Sequence, residues 1–125
     1  MVLLGIGGVE LSEAHARDTA SLLTAMDPPF VGALTTTVVP GTPLATEEAR
    51  GDFTLPDKFG LLRELRTVVA ESRFSQCRFS SNHASNYLPV RSTLPTDREE
   101  ILSLLDAVIA SNDERFLKDE HLRGL

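Results

Sequence analysis

At 125 residues, with 42% apolar and 24% charged side chains, the chain is sized for one domain with a real core and is too apolar to remain disordered. Its net charge of −6 comes without a run of Lys or Arg, which argues against a nucleic-acid groove, since phosphate contacts need clustered positive charge. One cysteine, Cys77, leaves no internal disulfide and no thiolate-based metal site within one chain, and fits a reducing, cytoplasmic location.

The run VLLGI at residues 2–6, closed by Gly7 and Gly8, reads as a strand buried on both faces. It has no basic flank or cleavage-like end and is too short to span a bilayer, so no membrane partner is expected. A helix follows, with Ser12 as its N-cap, His15, Thr19, Leu22, Leu23 and Met26 on its inner face, and Asp27, Pro28 and Pro29 ending it. Residues 30–39, FVGALTTTVV, are β-branched and apolar without helical period, a second buried strand. Thr42 then caps a short helix that starts on Pro43 and closes at Gly51. Thr54 with Asp57 is spaced like a capping box for a longer helix that turns Phe59, Leu62, Leu65, Val68 and Val69 inward.

QCRFS at 76–80 is a brief third strand, and PVRSTLP reads as a turn. Thr96 with Glu99 forms a capping box for a helix burying Ile101, Leu104, Leu105 and Val108. Residues 1–111 thus form an α/β unit, and 112–125 form a charged tail expected to be its least ordered part. The element order, without a hairpin signal, predicts parallel strands joined by crossover helices. Three strands are few for such apolar segments, so a larger sheet or self-association through an open strand edge is expected.

In an α/β unit, ligands collect where strands end and helices begin. GIGGVE, VPGTPL and SSNHASN occupy three such places. GIGGVE offers open backbone N–H groups and the acceptor Glu10, but it lacks the third glycine of a dinucleotide fingerprint and also reads as a tight turn. VPGTPL is explained by turn and cap chemistry alone. SSNHASN, with Ser81, Asn82, His83, Ser85 and Asn86, is either a set of turn-forming side chains or a substrate-facing patch. His83 suits acid–base work, ligand positioning or a structural bond, but no second ligand stands at metal spacing and no nucleophile motif accompanies it. A hydrolase is therefore poorly supported. His15 reads as a packed histidine, His121 has no evident role, and Cys77 is a small buried residue.

LLGIGGVELSEAHARDTASLLTAMDPPFVGALTTTVVPGTPL, followed by CRFSSNHASNYLPV and LRGL, resembles the C-terminal half of radical S-adenosylmethionine (radical SAM) proteins. The resemblance covers nearly the whole chain and is to the oxidoreductases similar to oxygen-independent coproporphyrinogen III oxidase. SNHASNYL is its most specific part. It implies the C-terminal portion of a partial (β/α) TIM-type barrel. The parent enzyme would bind a [4Fe-4S] cluster through a CxxxCxxC loop and use it to cleave SAM to a 5′-deoxyadenosyl radical. It also implies that Gly7, Gly8 and Glu10 contribute to the SAM-binding rim. The chain departs from the family in having no CxxxCxxC. The expectation is then a fragment, inactive alone and without cofactor, whose partner is the missing N-terminal part of the barrel. The alternative is a standalone, cofactor-free α/β interaction module that forms a homo-oligomer through its free strand edge.

Overall fold

The computed structural model describes residues 1–125. In chain order the elements are β1 (Val2–Leu4), α1 (Gly8–Met26), β2 (Phe30–Thr35), α2 (Pro43–Arg50), α3 (Lys58–Glu71), β3 (Cys77–Ser80), β4 (Arg91–Leu94) and α4 (Arg98–Ser111), with 3-10 turns at Glu114–Phe116 and Glu120–Leu122. The sheet is open, in the order β1-β2-β3-β4, with β1 to β3 parallel and β4 antiparallel to β3. The fold is therefore mixed α/β with a mostly parallel sheet. PVRSTLP, expected as a turn, is the fourth strand, and β3 and β4 form a hairpin with a long loop. Its Arg91 to Leu94 lack the apolar run of the other strands, because only Leu94 of the four is buried.

Alternation along the strands sorts the sheet into two unlike faces. Val2, Leu4, Val31, Ala33, Cys77, Phe79 and Leu94 turn to one face and join a core with residues of α1, α3 and α4. These helices lie in one layer, α3 packing against both α1 and α4. A large side chain fully buried here, such as Phe79 or Leu105, contributes about 1.5–3 kcal/mol. The other face carries Leu3, Phe30, Gly32, Leu34, Arg78, Ser80, Arg91 and Thr93, as the register requires, and lies away from α1, α3 and α4. Phe30 on that face is 64% exposed.

The expected inner face of α3 is observed, as are the Thr42 cap, Pro43 at the first position and Gly51 at the end of α2. Other boundaries moved for physical reasons. Helix α1 begins at Gly8, so Ser12 lies inside it. The Val9 N–H donates to Thr54 O at 2.8 Å, and this long-range bond does the work expected of a side-chain cap. Its buried residues are Gly8, Ala16, Ala20 and Leu23, while Leu22 and Met26 are exposed, because small residues let α1 lie close to α3. Strand β2 stops at Thr35, where β1 also ends, and residues 36–39 leave the sheet. Asp57 alone caps α3, accepting from Gly60 N–H at 2.6 Å. Asp97, with no Thr96 cap, precedes α4, and Leu104 there is 43% exposed.

Residues 112–125 fold back as the two 3-10 turns, and Leu117 joins the core. The free edge of β1 is partly protected. Leu4 O accepts from Thr36 N–H on the β2 side, so Leu3 O faces the open edge, where His15 Nε2 lies at 3.0 Å as its donor.

Glu64 on α3 is buried between α1 and α3, and neither carboxyl oxygen makes a hydrogen bond of normal geometry. Desolvation raises its pKa above the ordinary 4.5, opposed by the charge of His15, the Gly5 backbone and the Ser12 hydroxyl. The folded state thus favours the protonated acid. Below the unfolded value the group costs little, and stability is lost as pH rises through the folded value. Glu64→Gln should therefore raise the melting temperature at neutral pH, with the advantage shrinking as pH falls toward 4.5. Thermal melts across that range check this, and a variant less stable at neutral pH would contradict it.

Candidate functional site

The three parallel strands end on one side of the sheet, at Leu4, Thr35 and Ser80. GIGGVE, VPGTPL and SSNHASN therefore do share a rim. They enclose a cleft of about 380 Å³ whose walls include Ile6, Val39, Leu44, Thr36 and His83.

How SSNHASN is held follows from the sheet register. The pairing of β2 with β3 ends at Gly32 and Ser80, whereas β2 runs on to Thr35 against β1. Past that point the buried backbone of β2 has lost its neighbour on one side and needs other partners. The loop supplies them from side chains. Asn86 Nδ2 donates to Ala33 O and to Ser81 O, both at 2.8 Å, and Asn86 Oδ1 accepts from the Thr35 hydroxyl at 2.8 Å. Ser85 Oγ accepts from Thr35 N–H at 3.1 Å. Ser81, Ser85 and Asn86 are all buried, so these residues replace the missing stretch of strand.

His83 is different. It is exposed, and its Nδ1 accepts from Ser85 N–H at 3.2 Å and lies 2.9 Å from Ser85 Oγ. With Nδ1 accepting, the neutral ring carries its proton on Nε2, which has no protein partner. His83 thus presents a donor to the cleft and is poorly arranged to take a proton there. The Thr36 hydroxyl, also at the cleft, is buried without a partner. With its amide oxygen turned to Arg91, Asn82 accepts from that guanidinium at 2.6 and 3.1 Å, and its nitrogen donates to Ser80 Oγ. Asn82 therefore ties the rim to β4.

Gly7, Gly8 and Glu10 are placed less openly. At Gly8 (φ +68°) a Cβ would stand 3.2 Å from the Phe53 ring and from Thr54 O. The close approach that this glycine permits is used by residues 53–54 of the chain itself. A Cβ on Gly7 would meet Leu11 at 3.1 Å, and Glu10 is exposed on the first turn of α1 and does not line the cleft.

Sequence reasoning missed Tyr87 and Arg123. Arg123, in the charged tail, has a side chain only 7% exposed. Its Nε donates to Ser85 O at 2.7 Å, one terminal nitrogen donates to Tyr87 Oη at 2.6 Å, and its Cζ lies 4.1 Å from the Tyr87 ring centre. Tyr87 Oη in turn donates to Glu120 at 2.6 Å. Burial and that bond push the Tyr87 pKa up to about 12, so it stays a neutral donor. The only sequence signals were LRGL and the Tyr of SNHASNYL, which belonged to the resemblance and to no local pattern.

No three His, Cys, Asp or Glu side chains stand together to hold a metal ion. Cys77 is fully buried on the core face, and desolvation raises its thiol pKa, away from the thiolate that a metal ligand requires.

Asn86→Ala should cost about 2–4 kcal/mol, since it strands two carbonyls and a hydroxyl in a dry environment. His83→Ala should stay within roughly 0.5 kcal/mol. Urea unfolding of both variants checks the contrast, and equal losses would mean that His83 is structural too. Comparison of the chain with protein-family models, with curated proteins and with solved structures found no match, so the placement of its side chains carries the functional reading.

Proposed function

We propose that the chain is the C-terminal part of a radical SAM barrel, contributing a rim and part of the lumen wall to an oxidoreductase whose cluster is held elsewhere. The observation that carries the reading is a unit covered on one side only. Strands β1, β2 and β3 lie side by side in chain order, and helices α1, α3 and α4 cover one face, as in a (β/α) barrel wall. The opposite face is open along Phe30, Gly32, Arg78 and Arg91, and in a barrel it would face the lumen. The flank of α1 beside the free β1 edge is also bare. Leu11, Leu22 and Met26 lie there at helical spacing with His15, which reaches that edge, and they are 59%, 61% and 63% exposed. A preceding βα unit would cover both. No helix of the chain is long and apolar enough to cross a membrane.

Of the two cofactors, one finds no fit here and the other a partial fit. A buried, high-pKa Cys77 and no clustered ligands give a [4Fe-4S] cluster nothing to bind. The glycine turn is filled by Phe53 and offers SAM no open cradle. The rim cleft suits the nucleoside end of SAM better, with apolar Ile6, Val39 and Leu44 beside the free His83 Nε2 and the unpaired Thr36 hydroxyl. SAM, once reduced, supplies the radical chemistry, and residues of this chain bind and orient it.

The β1 edge, unpaired by any strand, also favours a second reading, a cofactor-free module that pairs two copies edge to edge. The two are separated by expressing the gene with its upstream coding sequence anaerobically. The barrel reading expects a CxxxCxxC segment there, an iron–sulfur absorption band and 5′-deoxyadenosine from SAM under reduction. Absence of the segment, with a stable dimer of the 125-residue chain in sedimentation, would sink it in favour of the module.

A further inference from the structure

We propose that a second copy of the chain pairs antiparallel on the free edge of β1, centred on Leu3, and that His15 is the latch of this edge, turning from Leu3 O to Glu64 as the copy docks. This deepens the second reading above, on which it rests, by naming the contact and the group that regulates it.

Val2 and Leu4 turn their N–H and C=O groups to β2, so Leu3 alone of the strand offers both to the edge. A residue placed in this way can pair with its own copy. In an antiparallel ladder two facing residues exchange both N–H···O bonds, and that exchange about a two-fold axis is self-complementary. The axis stands normal to the sheet and leaves both helix layers on one side. The exposed stripe of Leu11, Leu22 and Met26 on α1 then flanks the axis in each copy. On the other face the two Leu3 side chains, each 38% exposed, stand next to one another. One operation thus covers the edge, the stripe and Leu3.

His15 stands in the way. Its Nε2 occupies Leu3 O at 3.0 Å, so the ring must leave before a strand can pair there. The same nitrogen is 4.0 Å from Glu64 Oε1. The Glu64 side chain is 1% exposed and both its oxygens lack a hydrogen-bond partner, a costly state for a buried carboxyl group. A shift of about 1 Å brings the His15 nitrogen into hydrogen-bond range of it. His15 therefore has two acceptors within reach and one N–H to give. In the lone chain the edge takes it and Glu64 goes without. In the pair, Leu3 of the second copy satisfies Leu3 O, and Glu64 receives the histidine. The unpaired carboxyl group is the counterpart of the unpaired edge.

The test is sedimentation equilibrium of the 125-residue chain over a range of concentrations, where a monomer–dimer equilibrium is expected. Leu3→Pro removes the N–H that faces away from β2 and should abolish the dimer, since an edge strand tolerates proline there. Leu22→Glu, at an exposed position, should weaken it about tenfold or more. Glu64→Leu removes the acceptor that receives His15 and should weaken it about tenfold, whereas Glu64→Gln keeps an oxygen acceptor and should lose less. Circular dichroism verifies that the variants fold. A chain that stays monomeric throughout overturns the contact and the module reading together. A dimer insensitive to Leu3→Pro and Leu22→Glu overturns the contact and leaves the module reading to another surface. Losses in those two variants with none in Glu64→Leu overturn the latch. An upstream CxxxCxxC segment with a dimer that Leu3→Pro breaks removes the module reading and leaves the contact as a property of this chain.

Discussion

Everything at the rim depends on one mismatch of length: β2 outlasts β3 by three residues on the side where β1 still pairs with it. A buried strand left half-paired would strand backbone groups in a dry environment. Asn86 and Ser85 meet that demand with side-chain amide and hydroxyl groups, which are short enough to stand in for a strand. Once they are fixed, His83 two residues back is held through Ser85, and Asn82 is held through Arg91. The polar density of SSNHASN is therefore divided by depth. Buried members serve the fold, and the exposed His83 is free to face a ligand.

The same division runs through the whole sheet. One face is assembled from Val, Leu, Ala and Phe under three helices, and the other mixes Leu3, Phe30 and Leu34 with Arg78, Ser80 and Arg91. Such a mixture is neither a core nor an ordinary solvated face. It suits a surface that meets both water and an organic molecule.

What could be read from the sequence was whatever local pattern determines. The apolar runs of β1 and β2, the Thr42–Pro43 start and Gly51 end of α2, and the inner face of α3 depend on neighbours within a few residues. The start of α1 depends on Thr54, more than forty residues away, and its buried stripe of alanines is set by contact with α3 rather than by side-chain size. Strand β4 was illegible because an edge strand with one buried residue carries no alternation strong enough to announce itself. At the site, the gathering of three loops on one rim followed from topology, but the roles inside SSNHASN did not. Only the register distinguishes Asn86, which closes the sheet, from Asn82, which reaches Arg91. Glycines that suggested an open approach proved to be filled by Phe53 and Leu61 from elsewhere in the chain.

The Arg123 contact with Ser85 and Tyr87 joins positions 38 and 36 residues apart in the chain. Its consequence concerns the order of assembly. During synthesis the first strands and α1 emerge and can pair long before residue 123 exists. The loop bearing His83 gains the Arg123 bonds only once residue 123 has been made. The rim loop is thus tied to a segment that no neighbouring stretch of sequence specifies, so its geometry depends on the last turn being in place.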